Sequence, residues 1–196
     1  GMPVIGLRED IAGYTRANVL AFYRRNYVPE RTIVALVGDF EPEAAKKLVA
    51  DYFGKIPKGS VAKDAIPEEP KQNEERRVEV EFPAQPILLI GFHVPQRDHP
   101  DTPALNVLAE VASGGHAARF YTNLVKTRKA NTAGLWLGPG ERYPRLLTCA
   151  AEPASSGSTE ALEKDGLAQL EALKTTPPTA EELKRVVTGY RAEVLR

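Results

Sequence analysis

Cysteine is almost missing: Cys149 stands alone in 196 residues. One thiol cannot close an intrachain disulfide, so packing has to hold the fold. That suits a reducing compartment, and equally an exported protein that needs no staples. Net charge is missing as well. The 26 Lys and Arg balance the 26 Asp and Glu, which excludes the basic footprint of a nucleic-acid binder. No apolar run approaches the ~20 residues that span a bilayer. Gly1-Met2-Pro3 opens without the profile of a secretory signal. The compartment stays open between cytoplasmic and periplasmic or exported. Histidine is scarce too, and no pair among His93, His99 and His116 has one-turn helical spacing.

What is present is a good supply of core. Hydrophobic residues make up 42% of the chain, and its length allows one large or two small units. One stretch organises the first third. Residues 3–14 read as extended. Thr15 supplies a hydroxyl cap for a helix from Arg16 to about Tyr27. Phe22, Tyr23 and Tyr27 fall on one face of it, and Pro29 ends it. Ile33 to Val37 is an apolar run of strand length, closed by Gly38-Asp39. Pro42 can open the next helix, in which Ala44, Ala45, Leu48, Val49 and Tyr52-Phe53 repeat at helical spacing up to Gly54.

Residues 54–75 lose all apolar periodicity, and prolines and charges crowd in, so they read as an extended linker. Arg77 to Phe82 then alternates charge with Val78, Val80 and Phe82, as a half-buried strand does. Ile87 to Phe92 is continuously apolar and is expected in the centre of a sheet. A helix follows, capped by Asp101 or Thr102, with Leu105, Leu108, Ala109 and Ala112 inward. Ser113-Gly114-Gly115 stops it. A second helix runs from about His116 to Lys126 and buries Ala117, Phe120 and Leu124. Strands are expected at Ala133 to Leu137 and Leu146 to Ala151, turning through Gly138-Pro139-Gly140. A loop spans Ser155 to Ser158. The helix from Thr159 points Leu162, Leu167, Leu170 and Leu173 inward. Thr179 and Glu182 form a capping box for a last helix, whose pattern still runs at Arg196. The chain is therefore expected to be a segment of a longer polypeptide.

Two sets of landmarks carry a resemblance. The first runs from Phe22-Tyr23 and Tyr27-Val28-Pro29 through Val37-Gly38-Asp39-Phe40 to Tyr52-Phe53-Gly54 and Ile56-Pro57. The second is Asp101, Ala104-Leu105, Val107-Leu108, Ser113-Gly114-Gly115, Ala118-Arg119-Phe120 and Leu124, followed by Thr179 to Arg185. Together they resemble the insulinase/pitrilysin-type zinc metallopeptidases, the zincins with the inverted H-x-x-E-H motif. The resemblance implies an α+β fold: a mostly antiparallel sheet with helices packed on one face, a LuxS/insulinase-like half-domain. It divides the chain into the tail of a first half-domain (1–58), a linker (59–76) and a second, non-catalytic half-domain (77–196).

Peptidases of this family hold zinc with the two histidines of that motif and a later glutamate, and a glutamate of the motif activates the bound water. This chain has no H-x-x-E-H. The resemblance therefore places zinc in the parent protein and none on this chain. Some members grip substrate backbone with an arginine and a tyrosine seven residues apart. The matching positions here are Val125 and Thr132, which lack the donor and the reach. The implied role is part of the wall of a peptide-binding chamber, inactive alone, with a catalytic half-domain or subunit and peptides as partners and self-association as a further possibility. The alternative is an inactive scaffold or assembly subunit of the same fold.

Other candidates are weaker. His93, His99 and Asp101 lie near one turn, but their spacing is no recognised zinc pattern, and surface or capping roles fit better. Gly114-Gly115 precedes a helix without the Lys or Ser/Thr of a phosphate loop. Cys149, in an apolar strand, reads as a small buried hydrophobe rather than a nucleophile.

Overall fold

The computed structural model describes residues 5–59, 66–154 and 158–195. The expectations for residues 3–4, 60–65 and 155–157 and for a helix reaching Arg196 fall outside the described residues. The chain forms two compact units, residues 1–77 and 78–196. No helix among the described residues is long and apolar enough to cross a membrane.

The first unit is built of helices. Residues expected to be extended include a short helix, α1 (Arg8–Ala12), whose acidic Glu9 and Asp10 suit a first turn. In α2 (Arg16–Asn26) the Thr15 side chain accepts from the Asn18 N–H, and Asn18 answers to the Thr15 backbone, a complete capping box. Tyr23 and Tyr27 stack 5.0 Å apart, and a 3-10 turn over Pro29–Arg31 follows. In α3 (Pro42–Phe53) Pro42 occupies the first turn.

The strand expected at Ile33 to Val37 does not form. The segment is extended but makes no ladder, and Ile33 and Val37 are 94% and 99% exposed. A strand needs a neighbour for its N–H and C=O groups, and no described segment of this unit supplies one. The expected strand at Arg77 to Phe82 fails in the same way, with Val78, Val80 and Phe82 all exposed.

The second unit carries the core. Three strands, β1 (Leu88–Val94), β2 (Ala130–Leu137) and β3 (Arg145–Pro153), form an antiparallel sheet in the order β1-β3-β2. The apolar run at 87–92 thus lies at an edge, and β3 takes the centre. Register explains why. Leu135 and Ile90 both face Cys149, and Leu137 and Phe92 both face Leu147. Alternate β3 residues, from Arg145 through Leu147, Cys149 and Ala151 to Pro153, are buried on one face.

Helices cover that face. From α4 (Thr102–Ser113) come Ala109 and Ala112, and from α5 (Thr159–Thr175) come Leu162 and Leu170. Gly115, at φ +81, allows the reversal that stops α4. Leu105 and Leu108 are only half-buried, and Val111 is fully buried. In α5 the buried line steps by four through Leu162, Gly166 and Leu170, which leaves Leu167 42% exposed. Helix α6 (Ala180–Val194) buries Val186 behind the Thr179–Glu182 capping box.

The expected helix at 116–126 is shorter and wider. A π-helix spans Tyr121–Val125, with the Lys126 N–H donating to the Tyr121 carbonyl at 2.8 Å. Hydroxyls of Thr122 and Thr127 donate to the carbonyls of Ala118 and Asn123 and loosen the α-helical ladder. Phe120 and Leu124 are still fully buried, and Ala118 takes the inward place expected of Ala117. Each such large side chain contributes about 1.5–3 kcal/mol by leaving water.

Candidate functional site

Two polar arrangements occupy the second unit. The first is a guanidinium clamp. Arg119, just past the Gly114-Gly115 turn, donates through Nε to Glu182 Oε1 at 2.7 Å and through Nη2 to Oε2 at 2.9 Å. Its Nη1 reaches the Thr176 carbonyl at 2.9 Å, and its Nη2 reaches that of Pro177 at 3.1 Å. The Arg119 hydrogen bonds hold the Glu182 carboxyl far below the usual range, at about 2, helped by hydrogen bonds from Thr179. The same bonds hold the Arg119 guanidinium above its ordinary value. Arg185 adds a bond from Nη1 to the Ala117 carbonyl at 3.0 Å. The bidentate fork pins the start of α6 to the turn after α4. Arg119 and Glu182 are engaged with one another, so the clamp is a buttress rather than a site for chemistry, although Arg185 Nη2 is buried without a hydrogen-bond partner among the described residues.

The second arrangement is a groove of about 670 Å³ between α4, the end of β2 and Tyr190 of α6. Arg145 lines it and is only 8% exposed, and its Nε is buried with no hydrogen-bond partner among the described residues. Arg97 closes one side through an ion pair with Glu141, Nη1 to Oε2 at 2.6 Å, while the Arg97 N–H donates to the Glu141 carbonyl at 2.9 Å. Trp136 offers an aromatic surface, 44% exposed. Burial, with Glu110 and Glu193 nearby, pushes the Tyr190 phenol above its ordinary value, so it stays a neutral donor. Two guanidinium groups and three carboxylates line the groove together with hydrogen-bond donors and an aromatic surface, a lining that suits binding.

Of the remaining candidates His99 also lines the groove, and the others lie elsewhere. His99 Nδ1 accepts from the Asp101 N–H at 3.2 Å and lies 3.7 Å from Asp101 Oδ2, so this pair shapes the turn before α4. The Asp101 side chain makes no cap bond to that helix. His93 lies on β1 opposite Leu146, and His116 stacks on Tyr121 at 4.5 Å. Among the described residues no group of three or more His, Cys, Asp or Glu could hold a metal. The Glu110 carboxylate lies against Gly114 and would repel a phosphate there. Cys149 is 2% exposed, and burial pushes its thiol up to about 11, as for an inert core residue.

A family model described as the peptidase M16 inactive domain matches residues 13–190. The chain belongs to this family. The zinc protease PqqE of Helicobacter pylori is 25% identical over 197 residues, covering 97% of this chain and 44% of that protein. An uncharacterized zinc protease of Mycobacterium leprae is 29% identical over 136 residues, 65% of this chain and 29% of the other. A crystal structure of a protease from Helicobacter pylori superposes with a TM-score of 0.80 at 27% identity, over 97% of this chain and 47% of that one. The chain spans less than half the length of these relatives.

Within this M16 inactive domain the two positions that match the substrate-gripping pair, Val125 and Thr132, lie on different elements. Val125 ends the π-helix, half-buried. Thr132 is exposed on β2 opposite Glu152, just after the register shifts between Ala130 and Thr132. Neither lines the groove. Arg145 is not among the residues that motif and spacing single out, although the sequence does carry a signal for it. It shares the core-facing parity of Leu147, Cys149 and Ala151. A charge at that parity is a misfit, because an arginine is almost never buried without a partner.

Proposed function

We propose that this chain is the non-catalytic portion of a zinc-dependent metallopeptidase and forms part of the wall of a chamber that closes around extended peptides. One observation carries the reading: the inactive-domain model matches 178 residues, 13 to 190, of a chain that is similar to less than half of a named zinc protease. Residues 1–58 are the tail of the preceding half-domain, 59–76 a linker, and 77–196 the second half-domain. The exposed apolar run at Ile33 to Val37 supports this division, because a strand without a neighbour is what a cut through a sheet leaves behind.

The catalytic half-domain, or a separate catalytic subunit, holds the zinc and is the partner. Peptides are the substrates, and self-association of the isolated chain competes for the same apolar surface. With Val125 and Thr132 in place of a donor pair, backbone contacts to substrate fall to other residues. The rival role is an inactive assembly subunit. The test is to measure zinc and peptide hydrolysis on the intact parent protein and on the 196-residue chain alone. The parent is expected to bind zinc and cleave peptides, and the chain alone to do neither. Stoichiometric zinc on the isolated chain overturns the proposal, and a parent without zinc or cleavage favours the assembly role.

A further inference from the structure

We propose that the groove containing Arg145 binds a carboxylate, supplied either by the C-terminus of a peptide or by an Asp or Glu side chain. The inference stands apart from the peptidase reading and rests on one misfit in the core. Arg145 opens β3 at the parity that puts Leu147, Cys149 and Ala151 into the hydrophobic cluster. Its side chain follows them inward, to 8% exposure. A guanidinium stays charged at any ordinary pH, and stripping its water without a counter-charge is costly.

No ion pair reaches Arg145 among the described residues, and its Nε lacks any partner. Glu141, which lines the groove, is held by Arg97 through both side chain and backbone. Asp98 and Glu110 line the groove without pairing with Arg145. Their negative charge opposes any anion there, so the contact has to be carried by the Arg145 fork itself, and a second negative charge on the ligand weakens binding. A planar fork of N–H donors matches that group with two parallel bonds. The groove, at about 670 Å³, has the size that takes a few peptide residues. Trp136 and Leu137 give the adjoining side chains an apolar wall.

The sequence contains one tryptophan, Trp136, and it lines this groove. Its fluorescence is therefore a local reporter. The 196-residue chain would be titrated with acetyl-Ala-Leu-Ala as free acid and as C-terminal amide, and with acetyl-Ala-Glu-Ala amide and its Gln counterpart. A saturable response is expected from the free acid, the Glu peptide or both. The neutral counterparts should bind at least tenfold more weakly. A response to the free acid alone assigns the C-terminus, and one to the Glu peptide alone assigns the side chain.

Arg145→Met keeps the apolar stem and removes the charge. It should weaken carboxylate binding at least tenfold without lowering the thermal midpoint, because a buried charge with no partner has gone. A second measurement needs no variant: in the unmodified chain labelled with 15N-arginine, an Nε–H resonance should shift with the carboxylate peptide and not with the amide. Equal binding of carboxylate and neutral peptides overturns the proposal. So does an Arg145→Met protein that binds like the parent, or an arginine spectrum that never moves.

Discussion

At the scale of single residues, the Arg119–Glu182 pair decides how the last helix is seated. Both side chains are mostly buried, 16% and 17% exposed, and share two short bonds. The carboxyl titrates near 2 when folded, against an ordinary 4.5. A depressed folded value means that the stabilisation is complete above about pH 4.5 and is lost as pH falls toward 2. Glu182→Gln should destabilise the second unit by about 1–3 kcal/mol at neutral pH. It should also flatten the acid limb between those two values. Denaturant unfolding at a series of pH values checks both, and a variant whose acid limb matches the parent would show that the pair is idle. Each partner is visible in the sequence, one as a landmark beside Gly114-Gly115 and the other as half of a capping box. Their meeting across 63 residues is not.

At the scale of elements, edges matter most. Leu135 faces Cys149 as a non-hydrogen-bonded pair, its own N–H and C=O turned to Ser113 rather than to β3. Ser113, at the end of α4, fills the missing neighbour's place. Its hydroxyl accepts from the Leu135 N–H and donates toward the Leu135 carbonyl, both at 3.0 Å. A second carbonyl, that of Ala109, lies 3.2 Å away. Leu135 is 3% exposed, so water cannot take over the bond. Ser113→Ala should lower stability by about 1–2 kcal/mol, the cost of one buried unsatisfied group. It should also speed amide hydrogen exchange at Leu135. Unchanged exchange would mean that the hydroxyl contributes nothing to the edge. In the sequence Ser113 belongs to a helix stop. Its second role, capping a strand, has no local signal, because only packing brings the helix end to the strand edge.

At the scale of the whole chain, the division into residues 1–77 and 78–196 makes a proteolysis prediction. Residues 66–77 are exposed and free of regular structure. Such backbone is cut first, and packed elements resist. Trypsin should cleave first after Lys71, Arg76 or Arg77 and leave the fragment from residue 78 onward as the lasting product. Early cuts inside α4 or β3 would contradict the division. The lasting fragment would contain the core cluster, the Arg119–Glu182 clamp and the Arg145 groove.

The sequence by itself determined most of the helices, the turns and the family resemblance, but not α1 or the π-helical turn at Tyr121–Val125. Caps at Thr15 and Thr179, a proline in the first turn of α3 and the Gly-Gly stop at 114–115 act within a few residues of chain, where local chemistry is enough. The tertiary structure decided the strands. Ile33 to Val37 and Arg77 to Phe82 have strand character without a partner, and the apolar run at 87–92 went to an edge rather than the centre. A helix closes its hydrogen bonds within itself. A strand closes them on a neighbour, and which neighbour is present is a property of the assembled fold, not of the segment.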